Sequence, residues 1–206
     1  MREAAVKAPL SGVLAAHERC CKSVGFGKSF SGLRVRSFAA IEEGDLYQFG
    51  VANGNTLIEL VNTYNRTTWG FDSFVGLPAE QTGESTLREW AVGMKRGNRG
   101  AGAAAVHNHV IRQLRGRFPA DRLTLIPGFY NESLTRGLAR ELGMRPAVYV
   151  DIDADLYVST LHALDWLFAE RLLVPGSVVG YDDWCAAGSP CTAPPRDGCY
   201  LHTHCT

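Results

Sequence analysis

The chain of 206 residues predicts an α/β fold, a parallel sheet with helices on both faces. Short apolar runs alternate with helical stretches of about 10 to 15 residues between Gly44 and Tyr181. Each run ends on a glycine, a proline or an aspartate, the residues that punctuate a strand-to-helix turn. The length suits one domain with a sizeable core and is short for two.

The elements follow in order. Residues 1–43 carry helical patches and a Gly/Ser-rich piece, Ser23 to Gly32, and read as a helical lead-in to a domain spanning 44–184. Leu46 to Val51 is a first strand ending in a glycine turn, and Asn55 to Asn65 a helix with Leu57, Ile58, Val61 and Tyr64 on one face. Thr67 to Phe71 is a second strand, followed by a loop with Gly76, Pro78 and Gly83. Lys95 to Ala105 has no period; Val110, Ile111, Leu114 and Phe118 then mark a helix that stops before Pro119. Leu123 to Ile126 is a third strand, and Leu134, Leu138 and Leu142 a helix closed by Gly143. Ala147 to Ile152 is a fourth strand, Val158 to Leu172 a helix with Leu161, Leu164, Leu167 and Phe168 inward, and Ser177 to Tyr181 a fifth strand. Residues 185–206 are rich in Pro, Cys and Gly without period and read as an irregular tail.

Lys plus Arg and Asp plus Glu both number 21, so no overall field favours nucleic acid or an anionic membrane. No apolar run reaches the roughly 20 residues that span a bilayer. The expected partner is a small molecule, a homo-oligomer is not excluded, and the expected compartment is the cytoplasm. Cys20 and Cys21 are adjacent and the other four cysteines fall in the tail, unlike a disulfide scaffold. Cys185, Cys191, Cys199, His202, His204 and Cys205 have zinc-ligand chemistry, but no pair shows the C-x2-C spacing of common structural sites.

In such a sheet ligands bind at the carboxyl ends of the strands. Gly50, Ala52, Asn53 and Gly54 form the first turn, where backbone passes close to a ligand or simply turns tightly. Asp72 ends the second strand, about 20 residues on, where nucleoside-binding folds place an acid that accepts ribose hydroxyls; the alternative is a turn cap. The spacing is Gly-x-x-x-Gly, neither the dehydrogenase fingerprint nor a P-loop.

Val150-Asp-Ile-Asp-Ala-Asp-Leu-Tyr157 ends the fourth strand with three carboxylates, and Tyr181-Asp-Asp-Trp184 adds two after the fifth. Neighbouring strands lie about 4.8 Å apart, so the two acidic ends converge, and crowded carboxylates need a proton or a cation among them. A hard divalent ion, Mg2+ before Ca2+, suits oxygen ligands. Asp153, Asp182 and Asp183 are the expected metal set, with Asp151 nearly as good as Asp153. Asp155 fits best as a cap for the following helix.

Taken together, Phe49-Gly-Val-Ala-Asn-Gly-Asn-Thr56, Trp69-Gly-Phe-Asp-Ser-Phe-Val-Gly-Leu-Pro78, Asp153-Ala-Asp-Leu-Tyr157 and Gly180-Tyr-Asp-Asp-Trp184 resemble, in order and spacing, the macrocin/mycinamicin O-methyltransferase family. The resemblance implies a Rossmann-like class I methyltransferase fold, S-adenosylmethionine as methyl donor, and Mg2+ holding the hydroxyls of a sugar or other polyhydroxylated acceptor. It would put Gly50, Ala52, Asn53 and Gly54 on the methionine side, Asp72 on the ribose, and Asp153, Asp182 and Asp183 on the metal. Gln48 stands where the family usually has an acid. Only 22 residues follow Trp184, so the sheet is expected to lack its last two strands, leaving the fifth as an edge. A truncated, weakly active or inactive relative that binds cofactor or a partner is the alternative. No catalytic base is identified; His107 and His109 at the start of a helix, Trp90 with Lys95, Arg96 and Arg99 in a loop beside the substrate, and Phe129 and Tyr130 facing the adenine are candidates, each with an ordinary solvated or core reading beside it.

Overall fold

The computed structural model describes residues 21–27, 43–79, 92–94, 102–114, 116–181 and 200–205. Seven strands form one sheet: β1 (Cys21–Gly27), β2 (Asp45–Phe49), β3 (Thr68–Asp72), β4 (Leu123–Pro127), β5 (Ala147–Ile152), β6 (Val178–Tyr181) and β7 (Tyr200–Cys205), in the order β1-β7-β6-β5-β2-β3-β4. β2 to β6 are parallel, with Leu46 opposite Thr68 and Asp151 opposite Gly180. Parallel neighbours need crossovers. These contain α1 (Asn55–Tyr64), α2 (Ala103–Leu114), the short α3 (Tyr130–Ser133) and α4 (Leu138–Glu141), and α5 (Tyr157–Ala169).

The predicted two-faced architecture holds. Leu46 turns to one face, where Leu57, Leu60 and Val61 of α1 meet Val106 and Val110 of α2. Tyr47 and Phe49 turn to the other, against Trp166 and Leu167 of α5 with Leu134 and Leu138 packed alongside. Strands covered on both faces read as continuous apolar runs, which is why the sequence exposes them. Leu57 and Leu60, both fully buried, each contribute about 1.5–3 kcal/mol by leaving water.

Local boundaries differ where no period announces them. α2 starts at Ala103, inside the stretch expected to be irregular, because alanine forms helix without an apolar stripe. The helix expected over Leu134 to Leu142 is confined to α4, Leu138–Glu141, and the separate short α3 precedes it. On α5 Leu167 is buried as expected and Leu164 packs partly against the core, while Ser159, Ala163 and Trp166 are buried in place of Leu161 and Phe168.

Beyond β6 the sheet carries two more strands, only one of which follows β6 in the chain. β7 pairs antiparallel with β6, setting Val178 opposite His204, and β1 pairs antiparallel with β7, setting Gly27 opposite Tyr200. An open β6 would leave a row of backbone donors and acceptors unpaired, and these strands satisfy it. The helical lead-in and the irregular tail therefore each contain a strand. Cys185, Cys191 and Cys199, and with them the zinc alternative, lie outside the described residues. Among the described residues no helix is long and apolar enough to cross a membrane.

At the opposite end from the strand carboxyl termini, one buried carboxylate locks β2, β3 and the approach to β5. Asp45, 1 % exposed, accepts hydrogen bonds from Trp69 Nε1 at 2.8 Å, from the Arg145 amide at 3.1 Å and from Arg145 Nε at 2.9 Å. Its Oδ1 also lies 2.8 Å from the Arg145 guanidinium, whose side chain is 47 % exposed. The Tyr47 hydroxyl donates to the Arg145 carbonyl at 2.5 Å, and burial, reinforced by Asp45, pushes this phenol up so that it stays a donor.

Asp45→Ala strands the Trp69 indole and the Arg145 amide in a dry site and is expected to cost about 3 kcal/mol. Arg145→Ala removes a half-exposed partner and should cost about 1 kcal/mol. Urea unfolding of both variants checks the order; equal losses would mean that Asp45 is not the centre of the network.

Candidate active site

The carboxyl ends of β2, β3, β4 and β5 open on one cavity of about 520 Å3. Gly50, Ala52 and Asn53 come from the β2 turn, Asp72 and Ser73 from the end of β3, Gly128 to Asn131 from the end of β4, and Asp153, Ala154 and Asp155 from the end of β5. One face of α5, with Val158, Ser159 and His162, closes a side. Gly76 to Ala79 form another part of the wall; their loop is pinned to 92–94 by the Leu77 amide on the Met94 carbonyl at 2.9 Å and the Gly93 amide on the Leu77 carbonyl at 3.0 Å.

Asp72 organises this end of the sheet. Its Oδ2 accepts from the Val51 and Ala52 amides, both at 2.9 Å, and its Oδ1 from the Phe74 amide at 2.6 Å. Its own carbonyl accepts from the Gly128 amide at 3.0 Å, so a single residue ties the turns after β2, β3 and β4. The turn-cap reading and the ligand reading of Asp72 are therefore compatible. A carboxylate offers about four lone-pair sites, three of which meet amides, and the side chain still borders the cavity. Ala52 and Phe74 hold positive φ, 46° and 57°, a conformation disfavoured for residues with a Cβ and sustained here by those bonds.

The two turn glycines have different reasons. Gly50, at φ 91°, lies where a Cβ would stand 1.7 Å from the Asp153 carbonyl oxygen, so it lets the ends of β2 and β5 close together at the cavity floor. Gly54, at φ 81°, does not border the cavity; a Cβ there would lie 2.3 Å from Val110 Cγ2, so it admits α2 against the start of α1. Gln48 is not in the cavity wall either. It is buried in β2 between Gly70 and Asp151, one pleat below Gly50.

Of the acidic candidates, Asp153 borders the cavity, whereas Asp151 is fully buried within β5 and does not. Asp155 is not the helix cap: α5 starts after Leu156 with no side-chain cap, and Asp155, at φ 56°, borders the cavity. Asp182 and Asp183 lie outside the described residues, as do Trp90, Lys95, Arg96 and Arg99. β6 ends at Tyr181, opposite Ile152, so the two acidic segments follow paired strand ends. Among the described residues no group of three metal-ligating side chains converges. Asp153 and Asp155 bring carboxylate oxygens, the donor type a hard divalent ion takes, to one wall.

Phe129 and Tyr130 both border the cavity. Tyr130 is also core: its ring meets Phe49 edge-on at 5.6 Å, and its hydroxyl donates to the Phe71 carbonyl at 3.2 Å. Burial first, then the negative charges of Asp72 and Asp153, hold this phenol well above its ordinary value of 10.0. It is thus a neutral hydrogen-bonding group, not a base. His107 sits within α2, its Nε2 3.1 Å from the Leu123 carbonyl, and neither it nor His109 borders the cavity. Ser159 and His162 do, and sequence reading assigned neither of them a role in the site. Their signal was a pair of polar residues three apart on a helix counted only for its apolar stripe.

Two outcomes follow from this geometry. Gly54→Ala should cost about 2–3 kcal/mol from overpacking and positive φ, and a double-mutant cycle with Val110→Ala should show favourable coupling of about 1 kcal/mol. Burial also raises Tyr47 and Tyr64, so with Tyr130 they give stability that is complete below pH 10 and lost as pH rises beyond it. Ultraviolet titration should find these three of the seven tyrosines ionising only as the fold is lost; free titration of all seven in folded protein would contradict their burial.

The profile of the macrocin-O-methyltransferase (TylF) family matches residues 37–195. A search of curated proteins finds no match. Among solved structures, the calicheamicin methyltransferase CalS11 is similar with a TM-score of 0.60 and 20% identity, covering 93% of this chain and 78% of its own. The O-methyltransferase NovP is similar with a TM-score of 0.56 and 21% identity, covering 77% and 71%. An apo structure of CalS11, described as a TDP-rhamnose 3'-O-methyltransferase, aligns with a TM-score of 0.50 and 21% identity over 77% and 72%. These likenesses carry the fold, a Rossmann-like class I methyltransferase sheet. With the profile spanning most of the length and the cavity at the strand ends it covers, the chain belongs to the macrocin O-methyltransferase family of S-adenosylmethionine-dependent enzymes.

Proposed function

We propose that the chain transfers the methyl group of S-adenosylmethionine to a hydroxyl of a sugar or polyhydroxylated small molecule, with Mg2+ assisting. The observation that carries this reading is one cavity bordered by Gly50, Ala52, Asn53 and Asp72 together with Asp153. Its volume of about 520 Å3 is in the range of small-molecule sites. The start of α1, which has no side-chain cap, favours the amino-acid carboxylate, and Asp72 accepts from the ribose hydroxyls. The carboxylates of Asp72 and Asp153 favour a cationic sulfonium. CalS11 and NovP, an enzyme of calicheamicin chemistry and an O-methyltransferase, support a hydroxyl acceptor.

Methyl transfer needs alignment more than activation, because the sulfonium is already a good leaving group. The acceptor oxygen attacks the methyl carbon, the carbon–sulfur bond breaks, and S-adenosylhomocysteine, a methyl ether and a proton are released. Tyr130, held neutral, cannot take that proton and serves only to position. Asp153, with Asp182 and Asp183, would hold the divalent ion, which supplies a lowered hydroxyl pKa.

Calorimetry of the chain with S-adenosylmethionine should give one site. Asp72→Ala should weaken it about tenfold or more. Asp153→Asn should abolish the heat of Mg2+ binding while S-adenosylhomocysteine still binds. No heat with either cofactor form, with or without Mg2+, would defeat the enzyme reading, and undiminished Mg2+ binding in Asp153→Asn would defeat the metal assignment.

A further inference from the structure

We infer that His162 contacts the purine of the cofactor, an assignment that rests on the cofactor reading above. The position follows from connectivity. Asp72, at the end of β3, marks the ribose, and the amino-acid arm lies on the β2 side over Gly50 to Asn53. The base is joined to the opposite side of the ribose, so it lies away from β2, toward Gly128 to Asn131 at the end of β4. α5 borders the same cavity and packs against α3 at the end of β4. Val158, Ser159 and His162 stand three and four residues apart on α5, the spacing of one helical face, and all three border the cavity.

Below this face α5 is apolar: Ala163, Trp166 and Leu167 are buried against the sheet. His162 is therefore the last residue of α5 that borders the cavity, and it is half-buried. Adenine presents an amino donor and ring-nitrogen acceptors along its edge. A neutral imidazole carries one N–H and one bare nitrogen, and its two tautomers let it serve either kind of group. Phe129 and Tyr130 supply aromatic surface on the β4 side of the same space. An apolar residue at 162 would continue the stripe of α5 and leave that edge of the base without a partner.

The test compares S-adenosylhomocysteine with S-ribosylhomocysteine, which keeps the amino-acid and ribose parts and lacks the base. Calorimetry on the full chain should show His162→Ala binding S-adenosylhomocysteine about three- to tenfold more weakly, the effect of one lost neutral hydrogen bond, with S-ribosylhomocysteine unchanged. His162→Gln, which keeps a donor and an acceptor, should recover most of the loss. Equal weakening of both ligands, or no change in either, would overturn the assignment while leaving the cofactor reading standing. A wild-type chain that binds neither ligand would overturn both.

Discussion

Three turns of this sheet converge on the carboxylate and carbonyl of Asp72. Each turn has to leave its strand and immediately face a ligand, which deprives its amides of strand partners. Asp72 accepts from four of them, three at its carboxylate, and hydrogen bonds to a charged acceptor are worth about 1.5–3 kcal/mol each. A residue with a Cβ held at positive φ costs on the order of 1–3 kcal/mol, so the bonds outweigh the strain at Ala52 and Phe74. The shape of the cavity is therefore a property of this one side chain before any ligand arrives.

Beneath the turns the floor is aromatic. Phe49 and Phe71 stack at 4.7 Å, Tyr130 meets Phe49 edge-on, and Trp166 of α5 closes on Phe71 at 5.4 Å. These rings belong to β2, β3, the β4 turn and α5, the same elements that supply the wall. Packing at interior density transmits a displacement in any of them to the others. Binding geometry and core packing are in this way one set of contacts.

Much of this was legible in the chain. The five parallel strands show because burial on both faces makes them apolar runs, and the first turn and Asp72 show because their spacing is short and local. What escaped depended on distant partners. Gly54 gains a packing role once Val110 appears against it, and Asp155 reads as a cap until the helix starts two residues later, after Leu156, without a side-chain cap. His162 was hidden because a helix counted for its apolar stripe conceals a polar face turned toward a cavity. β1 and β7 were hidden because neither segment has meaning without the other, and Tyr200–Cys205 has no apolar alternation to announce a strand.

The far edge of the sheet joins residues 21–27 to residues 200–205. A ladder between segments so remote closes nearly the whole chain into a loop, and the entropy of that closure must be met before the pairing returns any hydrogen bonds. Helices and the βα crossovers between β2 and β6 involve far nearer neighbours and form sooner. The parallel strands and their cavity would assemble while β6 still waits for its neighbour, and the sheet would be sealed last by residues 21–27 and 200–205 meeting.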